Sequence, residues 1–114
     1  IYLIYAEACM NLGSGSAAIQ YVKKITDRAG VAAPSEITQD WLVAERAREL
    51  LWEGHRRTDL IRYGLFTSST FLWPWKGGSM TGQGFSSHMT IFAIPASELS
   101  SNPELTQNPG YGKQ

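Results

Sequence analysis

The 114-residue sequence has only one cysteine and no net charge. Its one cysteine, Cys9, cannot form an internal disulfide, and it lies in the apolar run "IYLIYAEACM", where a thiol usually serves as packing material. Ten basic residues balance ten acidic residues, so nothing favours long-range attraction to phosphate backbones or anionic lipid. Nucleic acid is therefore not an expected partner. No apolar run approaches the roughly 20 residues of a membrane-spanning helix.

Residues 1–65 carry the patterns of helices. An almost wholly apolar run ends at Gly13, which predicts a buried helix. A second helix, capped by Ser14 or Ser16, is predicted to end at Gly30, because its apolar residues recur at helical spacing and charged residues fill the other side. Two helices joined by so short a turn lie antiparallel, so we expect a helical hairpin of the size of one tetratricopeptide-type repeat.

A third amphipathic helix is predicted after the break "VAAPSE". Thr38 or Ser35 can cap it, and it runs through Trp41 toward Trp52. Gly54 interrupts the pattern, so one kinked helix or two short helices would both fit. The core predicted from the apolar stripes comprises Ile4, Ala8, Ile19, Val22, Ile25, Trp41, Leu51 and Trp52.

Residues 66–114 differ in character from the helical part, since charges nearly vanish and glycine, serine and threonine surround the aromatic cluster "FLWPW". We expect mostly loop there, with a short extended run near residues 90–94 and one helical turn after Pro95. The fold class predicted is mainly α, with helical hairpins of tetratricopeptide-like type followed by a loop-rich, largely irregular C-terminal segment. We expect a single domain over residues 1–114, which forms a C-terminal fragment of a longer protein.

The charged segment "ARELLWEGHRRTDLIRYG", residues 47–64, could be an active site, an anion clamp or the ion-paired seam of a helix. Opposite charges one helical turn apart would neutralise rather than activate its carboxylates, and no nucleophile accompanies His55. The other histidine, His88, is distant in sequence, so no metal site is predicted. The run "GGSMTGQG" lacks the Lys-Ser or Lys-Thr step of a phosphate-binding loop. We therefore predict no catalytic residue, no metal and no cofactor.

Residues 45–66, "ERARELLWEGHRRTDLIRYGLF", resemble the C-terminal signature of the SusD/RagB family, the surface glycan-binding lipoproteins of Bacteroidetes. The segments "IYLIYAEACMNLG", "AAIQYVKKITDRAGV" and "IFAIPASELSSNPELTQNPGY" resemble further family segments in the same order. The resemblance implies the C-terminal part of a longer protein that has a lipid anchor on its N-terminal part. It also implies a surface-exposed place at the outer membrane, over a SusC-like TonB-dependent transporter. The signature positions implied to be structural include Glu49, Glu53, Gly54, His55, Arg56 and Asp59.

Flat aromatic rings in a loop can stack on the apolar face of a sugar, and the candidates are Phe71, Trp73 and Trp75 in "STFLWPWKGG". These rings could instead form a lid over the helices. The resemblance implies that the oligosaccharide is held mainly by the missing N-terminal part. We therefore expect the non-catalytic part of a glycan-binding and uptake protein. The alternative is a stand-alone tetratricopeptide-like protein-interaction module, and a hydrolase is disfavoured because no carboxylate pair occurs outside the charged helix.

Overall fold

The computed structural model describes residues 1–112, and its regular structure is helical. The helices are α1 (Tyr2–Asn11), α2 (Gly15–Ala29), α3 (Gln39–Glu49), α4 (Arg56–Arg62) and α5 (Ala96–Ser101), with 3-10 turns at Lys76–Gly78 and Ser87–Thr90. No strand occurs within these 112 residues, which confirms the mainly α fold class. No helix in the same range is long and apolar enough to cross a membrane.

The chain divides into two compact units, residues 1–59 and residues 60 onward. Helix α4 begins in the first unit and ends in the second. The assignment of the whole chain to a single domain stays a prediction.

Helices α1 and α2 pack against each other as the predicted hairpin, and α1 also contacts α3. The turn after α1 is closed by Gly13, whose φ of 70° is the left-handed conformation that glycine adopts without steric cost. Gly30 ends α2 in the same conformation, and its N–H donates to the carbonyl of Asp27. Both helix ends therefore lie where the sequence places them.

The predicted core is correct at Val22 and Ile25 of α2 and wrong for α1 and for the end of α3, while Ile19 and Trp41 are half-buried. Val22 and Ile25 are buried, as expected. Ile4, Leu51 and Trp52 are 64%, 67% and 95% exposed, and Ala8 is also exposed. In α1 apolar residues occur around the whole helix, so the sequence does not mark the side that faces the core. The buried residues of α1 are Leu3, Ala6 and Cys9, and those of α3 include Leu42 and Val43.

Two short helices, rather than one kinked helix, follow the break at residues 31–38. The Thr38 side chain caps α3 by accepting a hydrogen bond from the N–H of Trp41 at 3.2 Å. Helix α3 ends at Glu49, before Trp52, which has a left-handed φ of 68°. Gly54 follows with a φ of 76°. A helix cannot continue through two left-handed residues so close together, and the chain restarts as α4 at Arg56.

The C-terminal tail of the second unit is held by side chains rather than by strand pairing. Thr90 belongs to a 3-10 turn, so the run expected near residues 90–94 has extended backbone angles only from Ile91. Side chains of the tail bond the backbone of this run. The amide of Gln107 pairs with both polar groups of Ile94, the Asn108 amide donates to the carbonyl of Phe92 and the Tyr111 hydroxyl donates to the carbonyl of Ile91.

Candidate functional site

The aromatic loop, residues 65–85, follows α4 in the second unit and carries the three predicted ligand-binding residues. Phe71 is half-buried, and its ring lies edge-on to Trp73, with centroids 6.1 Å apart and planes at 74°. Trp73 is 37% exposed and Trp75 is 67% exposed. Trp75 has no ring partner in the part of the chain that the structure describes. The fold therefore brings two of the three rings together and leaves the third in solvent.

Lys76 organises this loop from inside, and the sequence reasoning did not identify it. The residue is 1% exposed, and its Nζ donates to three backbone carbonyls. The acceptors are Leu65 at 3.1 Å, Ser68 at 2.9 Å and Phe71 at 2.6 Å. Because an ammonium group has three N–H donors, these bonds use all of them. No carboxylate pairs with this ammonium among the described residues.

The Lys76 ammonium also lies beneath the aromatic rings. Its Nζ is 4.8 Å from the Trp73 ring centroid and 6.0 Å from that of Phe71, within the range of cation–π attraction. Burial lowers the pKa of the Lys76 ammonium from its ordinary value, since desolvation disfavours the charged form. One sequence feature bears on this lysine: no acidic residue occurs between Asp59 and Glu98, so a lysine buried there has no carboxylate close to it in the sequence.

The glycine-rich run "GGSMTGQG" packs tightly against the loop backbone. A Cβ on Gly82 would lie 2.4 Å from the carbonyl oxygen of Trp73, and one on Gly84 would lie 2.6 Å from that of Thr67. These distances are shorter than any ordinary contact, so a side chain at either position would displace the aromatic loop. Gln83, between them, donates its backbone N–H to the Lys76 carbonyl at 2.9 Å. The glycines therefore allow a close approach of two backbones.

The exposed surface of this loop includes several large apolar side chains. Leu72 and Met80, which belong to the same loop as the two tryptophans, are 43% and 69% exposed. The Lys76 amine is fully engaged with carbonyls and is inaccessible to a substrate. What remains is a set of indole faces, which can stack on the C–H face of a sugar ring or on another flat apolar group.

The charged segment, together with Glu45 and Arg46 just before it, contains a buried ion pair and further pairs nearer the surface. Arg46 donates from Nε to Asp59 Oδ2 at 2.8 Å, and the two side chains are only 9% and 6% exposed. Arg56 donates to the backbone carbonyl of Val43 at 3.1 Å. In addition, Glu45 pairs with Arg48 at 2.5 Å, and Glu49 pairs with Arg28 of α2. The segment therefore binds α3 to α4 and α2, as an ion-paired seam does.

Other signature residues are not part of this seam. Glu53 and His55 are exposed, and neither side chain has a hydrogen-bond or ion-pair partner within residues 1–112. A Cβ on Gly54 would meet no atom within 4 Å, so its φ of 76° is the feature that favours glycine there. No group of three or more His, Cys, Asp or Glu side chains suited to a metal ion occurs in the described range.

Comparison with known proteins adds information on ancestry. The profile of the SusD family matches residues 1–111. The chain is 38% identical over 111 residues to the starch-binding protein SusD of Bacteroides thetaiotaomicron, an alignment that covers 96% of this chain and 20% of that protein. It is also similar to the solved structure of surface glycan-binding protein A from the same species, with a TM-score of 0.73 and 31% identity over 94% of this chain and 22% of that one. The chain thus spans about a fifth of the length of these relatives.

Proposed function

Because this chain belongs to the SusD family, we propose that it is the non-catalytic part of a protein that binds and takes up glycans at the outer membrane. The observation that carries the proposal is the 38% identity over 111 residues to a protein named for starch binding. The second relative is named for binding glycans at a surface, and its fold agrees at a TM-score of 0.73. Both named relatives are binding proteins. Family membership also favours this function over a stand-alone interaction module.

The proposal also concerns a full-length protein, of the same kind as the two relatives, that would contain this chain. It places that protein on the cell surface, anchored by a lipid on its N-terminal part and docked to a SusC-like TonB-dependent transporter. These features rest on family membership. The main oligosaccharide contacts belong, in this proposal, to segments outside the present chain, which corresponds to about a fifth of each relative.

Within this chain, the proposed glycan contact is the aromatic loop with Phe71, Trp73 and Trp75. The partly exposed indoles of Trp73 and Trp75 support it, because they can cover the apolar face of a sugar ring. The sequence between Asp59 and Glu98 contains no carboxylate, whereas a glycosidase uses a pair of them. Stacking on one aromatic ring contributes only about 1 kcal/mol beyond the burial of apolar area. We therefore expect a site of one or two rings to bind with a Kd in the millimolar range, which corresponds to a binding free energy of about 4 kcal/mol.

Calorimetric titration with a panel of soluble oligosaccharides tests this contact. We expect millimolar binding by the wild type, and loss of binding in Trp73→Ala or Trp75→Ala. Trp52→Ala is the control, because Trp52 is an even more accessible tryptophan, 95% exposed, in the other unit. Micromolar binding that survives both loop substitutions, or binding lost only in Trp52→Ala, would place the glycan contact elsewhere in the chain.

A further inference from the structure

Lys76 joins the backbone of the aromatic loop to the rings that the loop presents. Its three carbonyl acceptors are spaced along the loop, 11, 8 and 5 residues before it in the sequence. Its own N–H donates to the Trp73 carbonyl at 3.0 Å, which fixes the tight turn through Pro74. Lys76 therefore bonds four other residues of the segment 65–76, three through its side chain and one through its backbone.

We propose that Lys76 is a positioning residue for glycan binding, which acts by setting the orientation of the Trp73 ring and, with it, Phe71. This inference rests on the proposed function of the loop. With Nζ 4.8 Å from the centroid, the ammonium covers one face of the Trp73 indole. The opposite face is then the one available to a ligand, in agreement with the partial exposure of Trp73. Lys76 itself cannot touch a sugar, since it is 1% exposed and all three donors are used.

Lys76 differs from an exposed lysine beside an aromatic ring, because its ammonium group is buried and hydrogen-bonded. Lys24 lies 5.4 Å and 5.7 Å from the ring centroids of Tyr2 and Tyr21, but it is solvent-exposed. It can leave those rings and stay hydrated. Lys76 has no such alternative, because moving its ammonium would leave three loop carbonyls without a donor and a charge without solvation. The position of its charge, and hence of the indole above it, is fixed by the backbone.

The test uses the full chain labelled with 5-fluorotryptophan, whose four tryptophans give four fluorine NMR resonances that can be assigned by single Trp→Phe replacements. Lys76→Met keeps the length of the side chain and removes the ammonium. We expect the Trp73 resonance to shift and to gain a larger solvent isotope effect, while those of Trp41 and Trp52 stay in place. Lys24→Met is the control, and it should leave the Trp73 resonance unchanged.

Two results would overturn the inference. One is a Trp73 resonance that is the same in Lys76→Met as in the wild type, which would show that the ammonium does not orient the ring. The other is the collapse of all four resonances in both Lys76→Met and Lys76→Arg, which would show that the lysine supports folding in general rather than the loop. A Trp73 shift that is smaller in Lys76→Arg than in Lys76→Met supports the inference, since arginine keeps the charge and the donors.

Oligosaccharide titration separates this inference from the proposed function. If the wild type binds, we expect Lys76→Met to raise the Kd about tenfold, which corresponds to about 1.4 kcal/mol, with Lys24→Met unchanged. An unchanged Kd in folded Lys76→Met would reject the role of Lys76 in binding while leaving the glycan function intact. A wild type that binds no oligosaccharide, together with a Trp73 resonance that still moves in Lys76→Met, would reject the function and retain the orienting role.

Discussion

The side-chain amide of Gln107 makes two hydrogen bonds with the backbone of Ile94, so that both polar groups of that residue are satisfied. The N–H of Ile94 donates to Oε1 at 2.9 Å, and Nε2 donates to the Ile94 carbonyl at 3.0 Å. Oε1 also accepts from the N–H of Asn108 at 2.9 Å. A primary amide presents the same donor–acceptor pair as a residue of a neighbouring strand. Side chains of the tail thus make the hydrogen bonds to Ile94 that the backbone of a neighbouring strand would otherwise make.

Removing this amide should destabilise the second unit. In Gln107→Ala the two half-buried polar groups of Ile94 lose their partner, and each unsatisfied group costs about 1 kcal/mol or more, so we expect a loss of roughly 1 to 3 kcal/mol in the free energy of unfolding. Urea unfolding gives this value. Gln20→Ala, an exposed glutamine on α2, should change stability by less than about 0.5 kcal/mol. Equal effects of the two substitutions would show that the tail contact does not contribute.

The buried ion pair of Arg46 and Asp59 should respond strongly to loss of one partner. Asp59→Ala leaves a guanidinium without its charge partner at 9% exposure, and such a change costs about 3–5 kcal/mol. The control is Asp27→Ala in the exposed pair with Lys23, whose side chains are 57% and 60% exposed and whose loss should cost at most about 1 kcal/mol. Thermal and urea unfolding compare the two. Similar small losses would mean that Arg46 finds another partner or solvent.

Two glycines with nearly the same backbone angle allow the steric role of the glycine-rich run to be measured. Gly82 and Gly78 have φ of 82° and 81°, but only at Gly82 would a Cβ collide with the Trp73 carbonyl, at 2.4 Å. Each alanine substitution should lower the free energy of unfolding by about 1–2 kcal/mol, because alanine is unfavourable in the left-handed conformation. Gly82→Ala should cost more than this and change the fluorescence of Trp73. If the two variants lose equal stability, the close approach at Gly82 relaxes without cost.

Amine acetylation followed by mass spectrometry tests the burial of Lys76. The lowered pKa of its ammonium would by itself increase the neutral, reactive fraction, whereas enclosure at 1% exposure denies access to the reagent. We expect enclosure to dominate, so that Lys76 reacts after the exposed Lys23 and Lys24. Unfolding in urea should remove the difference. Early acetylation of Lys76 in the native protein would indicate an open loop.

Local sequence patterns were sufficient to predict the helical hairpin and to identify the family. Glycines end α1 and α2 because their left-handed conformation is a property of the residue itself. The side of α2 that faces the core could be predicted, because Lys23, Lys24 and Asp27 mark the side that faces solvent. Helix α1 has no such marking, and its predicted core residue Ile4 proved to be exposed. The proximity of Glu45 and Arg48 could likewise be predicted, since they lie at positions i and i+3 of one helix.

By itself, the amino-acid sequence determined the mainly helical class, the hairpin, the loop-rich second half and membership of the SusD family. Only the tertiary structure decided which charges meet over long separations: Arg46 with Asp59, 13 residues away, and Arg28 with Glu49, 21 residues away. It also decided that Lys76 is buried beneath Trp73. The physical reason is that helical periodicity relates residues three or four apart, whereas an irregular loop has no period. The partners of a buried cation in such a loop are fixed only when the whole backbone closes around it.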